Sequence, residues 1–378
     1  MDEARIAIGL MSGTSADGID AVLVRTNGIA PPRLLADLHL PYPESLHRRI
    51  LALYQPGENE IDRLGALHRE LGERFADAAL RVCQRGGLAI ERVAVIGSHG
   101  QTVRHRPPEF TLQIADPFII AARTGVVTVA DFRPADLARG GEGAPLVPLF
   151  HQVLFARPGQ RVAVVNLGGI ANVTALSGDA RTLLIAGDTG PANTLIDLLA
   201  TRLNHGARAV DRDGAAARRG QVDPRALDWL MAHPYLARSF PKSTGREAFG
   251  AELLEAFLVA FPHLEGDDGF ATLTQFTVET VADAACRLLP PHPERLILCG
   301  GGARNPAIVE GLARRLPLAH LSDAEDMGVD VSTLEAQAFA WFAVRTLRGL
   351  TVSVPGATGA TMPAVLGAIH PVTEVART

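Results

Sequence analysis

The sequence predicts an α/β protein of two similar domains, in which mixed sheets are flanked by helices and a cleft lies between the domains. The chain has 378 residues, which is longer than one ordinary domain. Each half opens with three β-prone segments, has a glycine-rich turn between the first two, and then alternates helical and strand patterns. This echo is structural, since the two halves do not repeat in sequence.

The first half alternates short strand patterns with two amphipathic helices. Strands are predicted at Arg5–Met11, Asp20–Thr26, Arg33–Leu40, Arg92–Gly97, Phe110–Ala115 and Gly125–Ala130. Helices are predicted at Glu44–Tyr54 and Ile61–Arg85. In the second helix, apolar residues from Leu64 to Ala78 recur at spacings of three and four, which gives the helix one apolar face.

The second half begins in the same way and ends in helices. Strands are predicted at Arg161–Leu167, Ala171–Leu176, Thr182–Ala186 and Arg295–Cys299. Helices are predicted from about Pro191, at Leu273–Leu289, from about Asn305, and at Thr333–Arg348.

The domain division follows from the segment Arg133–Pro148, whose glycines, prolines and acidic residues suit a crossover. We expect an N-terminal domain at 1–133 and a C-terminal domain at 134–360. The segment at about 361–378 is expected to pack back on the first domain.

Composition excludes several classes of function. Hydrophobic residues make up 47% of the chain and charged residues 20%, and the net charge is −5, so no basic excess favours nucleic acid or an anionic membrane. Three distant cysteines give neither a metal-ligand pair nor a complete disulfide set. The start lacks a signal-peptide pattern, and no apolar stretch reaches the roughly 20 residues of a membrane span. We expect a cytoplasmic protein that binds neither nucleic acid nor membranes.

Two glycine-rich turns suit phosphate binding. Ser12–Asp20 combines glycine, hydroxyl and carboxylate residues, which offer backbone N–H groups, side-chain donors and ligands for Mg²⁺. Asn166–Val173 is a second strand-turn-strand unit that opens the matching half. Either segment alone is compatible with an ordinary hairpin. Together they could hold a triphosphate from both sides.

A third glycine segment, Gly300-Gly301-Gly302, lies between a strand and a helix and could let a flat ring lie against the backbone. The alternative is a flexible strand-to-helix loop. Neither a Walker P-loop nor a dinucleotide-binding fingerprint is present in the sequence.

Asp188 is the candidate general base. It precedes Pro191, a residue that suits the first turn of a helix, so a helix N-terminus would keep the carboxylate ionised. The alternative is that Asp188 only caps that helix.

The motifs, taken in order, resemble those of the anhydro-N-acetylmuramic acid kinase family, in the sugar kinase, actin and Hsp70 superfamily. The segment Met11-Ser12-Gly13-Thr14-Ser15-Ala16-Asp17-Gly18 is specific to that family. The other matching segments run across nearly the whole chain: 96–102, 130–133, 143–148, 166–172, 188–193, 241–247 and 299–305. The resemblance implies two actin-like, ribonuclease H-like domains.

The resemblance also implies an activity. The family opens the 1,6-anhydro ring of its muramic acid sugar with water and phosphorylates O6 with ATP and Mg²⁺. The product is N-acetylmuramic acid 6-phosphate, in peptidoglycan recycling and amino sugar catabolism. A homodimer is expected from the resemblance alone.

Site roles carry over from the resemblance residue by residue. Asp188 is the catalytic base. The residues expected to bind ATP are Gly13, Thr14, Ser15, Ala16, Asp17, Gly18, Ile19, Asp20, Asn166, Gly168, Gly169, Gly300, Gly301, Gly302 and Asn305. Asp17 and Asp20 are the candidates for holding Mg²⁺, directly or through water.

The sugar is expected to meet a second group of residues, which consists of Ser98, His99, Gln101, Arg133 and Glu335. Arg133 could pair with the lactyl carboxylate. Each has a structural alternative: His99 as a hydrogen-bonding residue in a strand-end turn, Arg133 as a linker salt bridge, and Glu335 as the capping partner of Ser332. Thr244 and Glu247 similarly match a capping box, beside Lys242 and Arg246, which could meet anions.

The motif around the base departs from the family pattern. Gly187 stands where the family usually has an aromatic residue, and Ala192 replaces a glycine. These changes affect the sugar subsite more than the reaction class, so a kinase for another sugar is one alternative. A nucleotide-switched binding protein of the Hsp70 or actin type is another, although it would leave Ser98, His99, Arg133 and Glu335 without purpose.

Overall fold

The computed structural model describes residues 3–177, 184–207 and 209–372, which form two compact units. The first unit comprises 1–154 and 332–378, and the second comprises 155–331. This division differs from the boundaries expected from the sequence, because 134–154 and 332–360 lie in the first unit.

The described residues form twelve strands and thirteen α-helices. The strands are β1 Arg5–Ser12, β2 Gly18–Thr26, β3 Arg33–Pro41, β4 Val95–Arg106, β5 Phe110–Ile114, β6 Thr128–Ala130, β7 Val162–Leu167, β8 Ile170–Leu176, β9 Leu184–Pro191, β10 Arg295–Cys299, β11 His320–Asp323 and β12 Ala368–His370. The helices are α1 Glu44–Leu51, α2 Glu60–Arg85, α3 Pro117–Thr124, α4 Pro134–Leu137, α5 Pro148–Phe155, α6 Thr194–Leu203, α7 Ala215–Arg219, α8 Pro224–Met231, α9 Ala251–Ala260, α10 Asp267–Leu288, α11 Pro306–Arg315, α12 Leu334–Leu347 and α13 Pro355–Thr358.

The sheet of the first unit has the strand order β12-β6-β4-β1-β2-β3, with β5 paired to β4. The first three strands form an antiparallel meander, and β4 and β6 continue parallel to β1. Helix α2 covers one face with Leu67, Leu71, Phe75 and other buried residues. This is the apolar face that the spacing of three and four predicts.

Helix α12 covers the other face of this sheet and approaches it at backbone distance. A Cβ atom on Gly9 would lie 1.8 Å from the Ala336 carbonyl oxygen, and one on Gly97 would lie 2.0 Å from that of Phe339. Only glycine fits at these two positions on adjacent strands. The close approach places the first turn of α12, with Glu335, beside the sheet.

The sheet of the second unit has the order β11-β10-β7-β8-β9. Strands β7, β8 and β9 form an antiparallel meander, and β10 and β11 run parallel to β7. If the strands of each main sheet are numbered along the chain, they lie side by side in the order third, second, first, fourth in both units, as in ribonuclease H-like domains. Two mixed sheets flanked by helices confirm the predicted fold class.

Two local predictions are wrong. Residues 98–101 do not form a strand-end turn, because β4 continues to Arg106, with Gly100 at φ +73° inside the strand. No helix begins at Pro191, which is the last residue of β9, and α6 begins at Thr194. The predicted strand at Thr182–Ala186 starts outside the described residues. Within the described ranges, no helix is both long and apolar enough to cross a membrane.

Candidate functional site

The first glycine turn joins β1 to β2 in the first unit. The Ala16 N–H donates to Gly13 O at 3.1 Å, and Ala16 is buried with φ +52°. Thr14 and Ser15 lie at the exposed tip, and their N–H groups make no hydrogen bond within the described residues. The tip therefore presents two adjacent backbone donors, which suits an anion.

Side chains from other elements hold the carbonyl groups of this turn. The Gln101 Nε2 atom donates to Gly13 O at 2.9 Å, and the Tyr54 hydroxyl donates to Thr14 O at 2.9 Å. The ring of His47 contacts Ser15 O at 3.1 Å. Because these groups hold the carbonyls, the turn keeps one conformation, which lowers the entropic cost of binding a phosphate.

Gln101 is buried, and its amide is fully engaged with the turn. Its Oε1 atom lies 2.6 Å from Ser12 Oγ, and its Nε2 atom also donates to the Tyr54 hydroxyl at 3.0 Å. These contacts favour a positioning role over direct contact with a sugar.

We predict that Gln101→Met raises the KM for ATP about tenfold, the equivalent of losing roughly 1.4 kcal/mol of hydrogen bonding, and leaves the KM for the sugar within twofold. Methionine fills the space but cannot hold the Gly13 carbonyl. Steady-state kinetics with each substrate varied in turn measures this. A larger effect on the sugar than on ATP would contradict the positioning role.

The carboxylates near this turn are Asp17, which is exposed, and Asp20, on β2. Asp20 Oδ1 lies 2.7 Å from Nδ1 of His39 on β3. No group of three or more His, Cys, Asp or Glu residues within the described ranges could hold a metal ion by itself. Mg²⁺ usually binds through one or two carboxylates together with substrate phosphates and water, so the donors present fit that mode.

His99 and Arg133 form a pair in the first unit. The Nε2 atom of His99 accepts from Arg133 Nε at 3.2 Å and lies 3.0 Å from its Nη2, and Nδ1 lies 3.0 Å from Gly100 O. This geometry requires the neutral ring with its proton on Nδ1. Burial and the Arg133 charge lower the pKa of His99 to about 3. Both ring nitrogens are occupied within the protein, so His99 orients Arg133.

Arg133 stays cationic at neutral pH although burial lowers its pKa to about 10. Glu335, at the start of α12, opposes this lowering. Glu335 is accessible to solvent, yet the atoms packed around its carboxyl group desolvate that group and raise its pKa. The charge of Arg133 lowers this pKa, and the charge of Asp20 raises it. Thr333, not Ser332, is the N-cap of α12, without a side-chain cap hydrogen bond. The capping-box alternative for Glu335 is therefore wrong.

The buried neutral state of His99 predicts a pH-dependent stability. The unfolded ring titrates near 6.5 and the folded ring near 3, so the unfolded state binds an extra proton as the pH falls below 6.5. At pH 5 this costs the wild type about 2 kcal/mol of unfolding free energy relative to pH 7. His99→Gln keeps an acceptor for Arg133 and is expected to lose less stability over this range. Urea unfolding of both proteins at pH 5 and 7 measures the difference, and an equal loss in both would contradict the assignment.

Ser98 faces a cavity of about 240 Å³ in the first unit. Its Oγ atom is buried and makes no hydrogen bond within the described part of the chain. The lining includes Asp116 and Asp131 but neither lysine nor arginine. Such a lining suits hydroxyl or N–H groups and repels anions.

The second glycine turn, Gly168-Gly169 in the second unit, is tied to the segment after β9. The N–H groups of Ala192 and Thr194 donate to Gly169 O at 2.8 and 3.1 Å. The Asn193 Nδ2 atom donates to Leu167 O at 3.1 Å and to Gly168 O at 2.7 Å. Asn193 thus connects this turn to the strand that carries Asp188.

The third glycine segment packs against the second turn. A Cβ atom on Gly300, which has φ +81°, would lie 2.4 Å from Asn166 Oδ1, and one on Gly302 would lie 2.7 Å from Leu167 Cβ. A Cβ atom on Gly301 would meet only open space. Gly301 can therefore face a ligand. Asn305 accepts from Ala307 N at 3.0 Å as the N-cap of α11, which gives its oxygen a structural role.

Asp188 lies inside β9, so it does not cap a helix. Its N–H donates to Lys242 O at 2.8 Å, and its carbonyl accepts from the Tyr235 hydroxyl at 2.8 Å. Its Oδ2 atom accepts from the Thr244 N–H at 2.9 Å. A hydrogen bond to the carboxylate favours its ionised form, which a general base requires.

The structure explains both departures around Asp188. A Cβ atom on Gly187 would lie 2.7 Å from Lys242 O and 2.8 Å from a ring carbon of Phe240. The Phe240 ring thus packs against position 187, where the resemblance implies an aromatic side chain. Ala192 is fully buried and its φ is not positive, so its backbone does not require glycine.

The structure gathers the predicted residues into two clusters. In the first unit, the 12–18 turn lies with Gln101, and Arg133 lies with His99 and near Glu335. In the second unit, the second glycine turn and the third glycine segment lie beside the strand of Asp188. Sequence reasoning did not assign the roles of Tyr54, Asn193, Tyr235 and Thr244 in holding these groups. No helix begins at Thr244, so its capping-box interpretation is wrong.

Comparisons with known proteins identify the family. The sequence model for anhydro-N-acetylmuramic acid kinase matches residues 5–372. The chain is 45% identical over 367 residues to the protein of that name from Shewanella amazonensis, covering 96% of this chain and 98% of the relative. It is also 45% identical over 363 residues to the one from Shewanella baltica, covering 95% and 97%. Among solved structures, a xylulose kinase from Lactobacillus acidophilus aligns at a TM-score of 0.44 and 11% identity, covering 95% of this chain and 93% of the kinase. The chain belongs to the anhydro-N-acetylmuramic acid kinase family.

Proposed function

We propose that this protein uses water to open the 1,6-anhydro ring of 1,6-anhydro-N-acetylmuramic acid and phosphorylates O6 with ATP, giving N-acetylmuramic acid 6-phosphate. The observation that carries the proposal is the hydrogen-bonded Asp188 carboxylate of a chain that matches the family over residues 5–372. A sugar kinase of this type needs one base, one phosphate-binding turn and groups that recognise the sugar.

Asp188 takes a proton from water as the water oxygen attacks the anomeric carbon. The bond from C1 to O6 breaks, and O6 then attacks the γ-phosphorus, so that the bond to ADP breaks. General base catalysis of this kind contributes about 10²- to 10⁴-fold. The N–H groups at the tip of the 12–18 turn supply donors for phosphate oxygens, and the Gly300–Gly302 segment supplies room for the adenine ring.

Mg²⁺ would be held by Asp17 or Asp20 together with the phosphates, and it would offset the charge that develops on the transferred group. The carboxylate of the lactyl group would pair with Arg133, which His99 orients. The cavity beside Ser98 would accept the donor-rich part of the sugar. The homodimer, the cytoplasmic location and the absence of nucleic-acid and membrane partners stay predictions.

A coupled assay tests this function. Purified protein with Mg²⁺ and ATP is given the anhydro sugar, glucose, N-acetylglucosamine or no sugar, and ADP release is followed. We expect turnover only with the anhydro sugar. Turnover with another hexose alone would favour a kinase of the same fold with another substrate.

A further inference from the structure

Lys242 belongs to a segment that surrounds Asp188, and the proposed chemistry does not use it. The side chain is only 4% exposed. Lysine is rarely buried to this extent unless its ammonium group is paired or hydrogen-bonded. The surroundings of its ammonium group therefore need an explanation. They do not match the anion-binding role that the sequence suggested for Lys242.

The ammonium group is held by backbone carbonyls and aromatic rings. The Nζ atom donates to Tyr235 O and Leu236 O, each at 3.2 Å. It also lies 4.4 Å from the ring centroid of Tyr235 and 4.9 Å from that of Phe240. A cation over aromatic faces in a desolvated site contributes more than at the surface.

The same segment makes three of the contacts to Asp188. Lys242 O accepts from the Asp188 N–H, the Tyr235 hydroxyl donates to the Asp188 carbonyl, and the Thr244 N–H donates to the carboxylate. The Lys242 side chain thus joins the two ends of a clamp, at 235–236 and 240–244, that fixes Asp188 along its backbone and at one carboxylate oxygen.

We propose that Lys242 is a positioning residue for the general base, which holds this clamp closed and keeps a positive charge beside Asp188. The proposal rests on the proposed function for its kinetic consequences but not for its structural ones.

The charges around Lys242 support this role. Burial, together with the charges of Arg287 and Arg238, lowers its pKa to about 8, although Asp188 opposes this lowering. The two arginines thus repel the ammonium group, and the Asp188 carboxylate attracts it. A nearby positive charge favours the ionised form of a carboxylate. Removing the Lys242 charge should therefore raise the pH above which Asp188 is ionised and can act as a base.

The test compares Lys242→Met with wild type and with Arg225→Met, an exposed cation on α8 of the same unit. Lys242→Met is expected to lower kcat about tenfold or more, to leave the KM for ATP within twofold, and to move the acidic limb of the kcat profile to higher pH. Arg225→Met is expected to match wild type. A wild-type pH profile and kcat in Lys242→Met would overturn the proposal.

Hydrogen–deuterium exchange gives a second readout that does not need activity. In Lys242→Met, exchange at 235–244 is expected to become faster than in Arg225→Met, and unchanged exchange there would overturn the clamp. If Lys242→Met does not fold, Lys242→Gln, whose amide can still donate to a backbone carbonyl but carries no charge, replaces it; its acidic limb is expected at higher pH than in the wild type, and an unchanged limb would overturn the proposal. Failure of the wild type to act on the anhydro sugar would reject the proposed function, while the exchange comparison would still decide the clamp.

Discussion

Asp188→Asn is expected to lower kcat by about 10²- to 10⁴-fold, because an amide cannot take the proton from the attacking water. Asparagine can still present an oxygen to the Thr244 N–H, and the backbone contacts of residue 188 with Lys242 and Tyr235 remain. The fold around the site should therefore survive, and the loss should fall on the chemical step.

The measurement is kcat and the Kd for ATP in Asp188→Asn, with Asp228→Asn as the control. Asp228 is an exposed carboxylate on α8 of the same unit, so its change removes the same charge at a distance from the base. We expect ATP binding within twofold of wild type in both variants and full activity in the control. Turnover within tenfold of wild type in Asp188→Asn would reject its role as base.

Gly9→Ala is expected to destabilise the protein by about 1–3 kcal/mol or more, which is the range for overpacking a close contact. The new Cβ would lie 1.8 Å from the Ala336 carbonyl oxygen, and this is a backbone atom that cannot rotate away. Helix α12 must then move off the sheet and take Glu335 with it. The KM for the sugar should rise if Glu335 contacts it.

Gly65→Ala is the matched control, since a Cβ at this position on α2 meets nothing within 4 Å. Alanine is favoured over glycine inside a helix by about 0.5–1 kcal/mol, so this variant should be stabilised. Urea unfolding of the three proteins gives the comparison. A Gly9→Ala midpoint equal to or above that of Gly65→Ala would contradict the packing of α12 against β1.

Local patterns predicted most of the elements, because strand alternation, helical spacing and glycine turns depend on residues close in sequence. The first meander and α2 follow from Arg5–Met11, Asp20–Thr26 and the repeat that begins at Leu64. The same patterns mispredicted β4, because Gly97 and Gly100 look like turn residues. Glycine is needed at these positions for other reasons. Gly97 leaves room for the backbone of α12, and Gly100 takes a positive φ beside β5.

The parts of the site that depend on distant contacts could not be predicted. Gln101 holds Gly13, 88 positions away, and Thr244 holds Asp188, 56 positions away. Nothing in a local pattern distinguishes such a positioning residue from one that meets the substrate. The resemblance supplied the candidate residues. The hydrogen bonds distinguish residues that orient others, such as His99, from residues that are oriented by them, such as Arg133.

The most direct test of the ring-opening reaction is the fate of the solvent oxygen. The protein is incubated with ATP, Mg²⁺ and the anhydro sugar in water enriched in ¹⁸O, and the product is analysed by mass spectrometry. We predict one ¹⁸O atom at C1 and none in the bridge between C6 and phosphorus. A phosphorylated product without ¹⁸O at C1, or with the anhydro ring intact, would contradict the account.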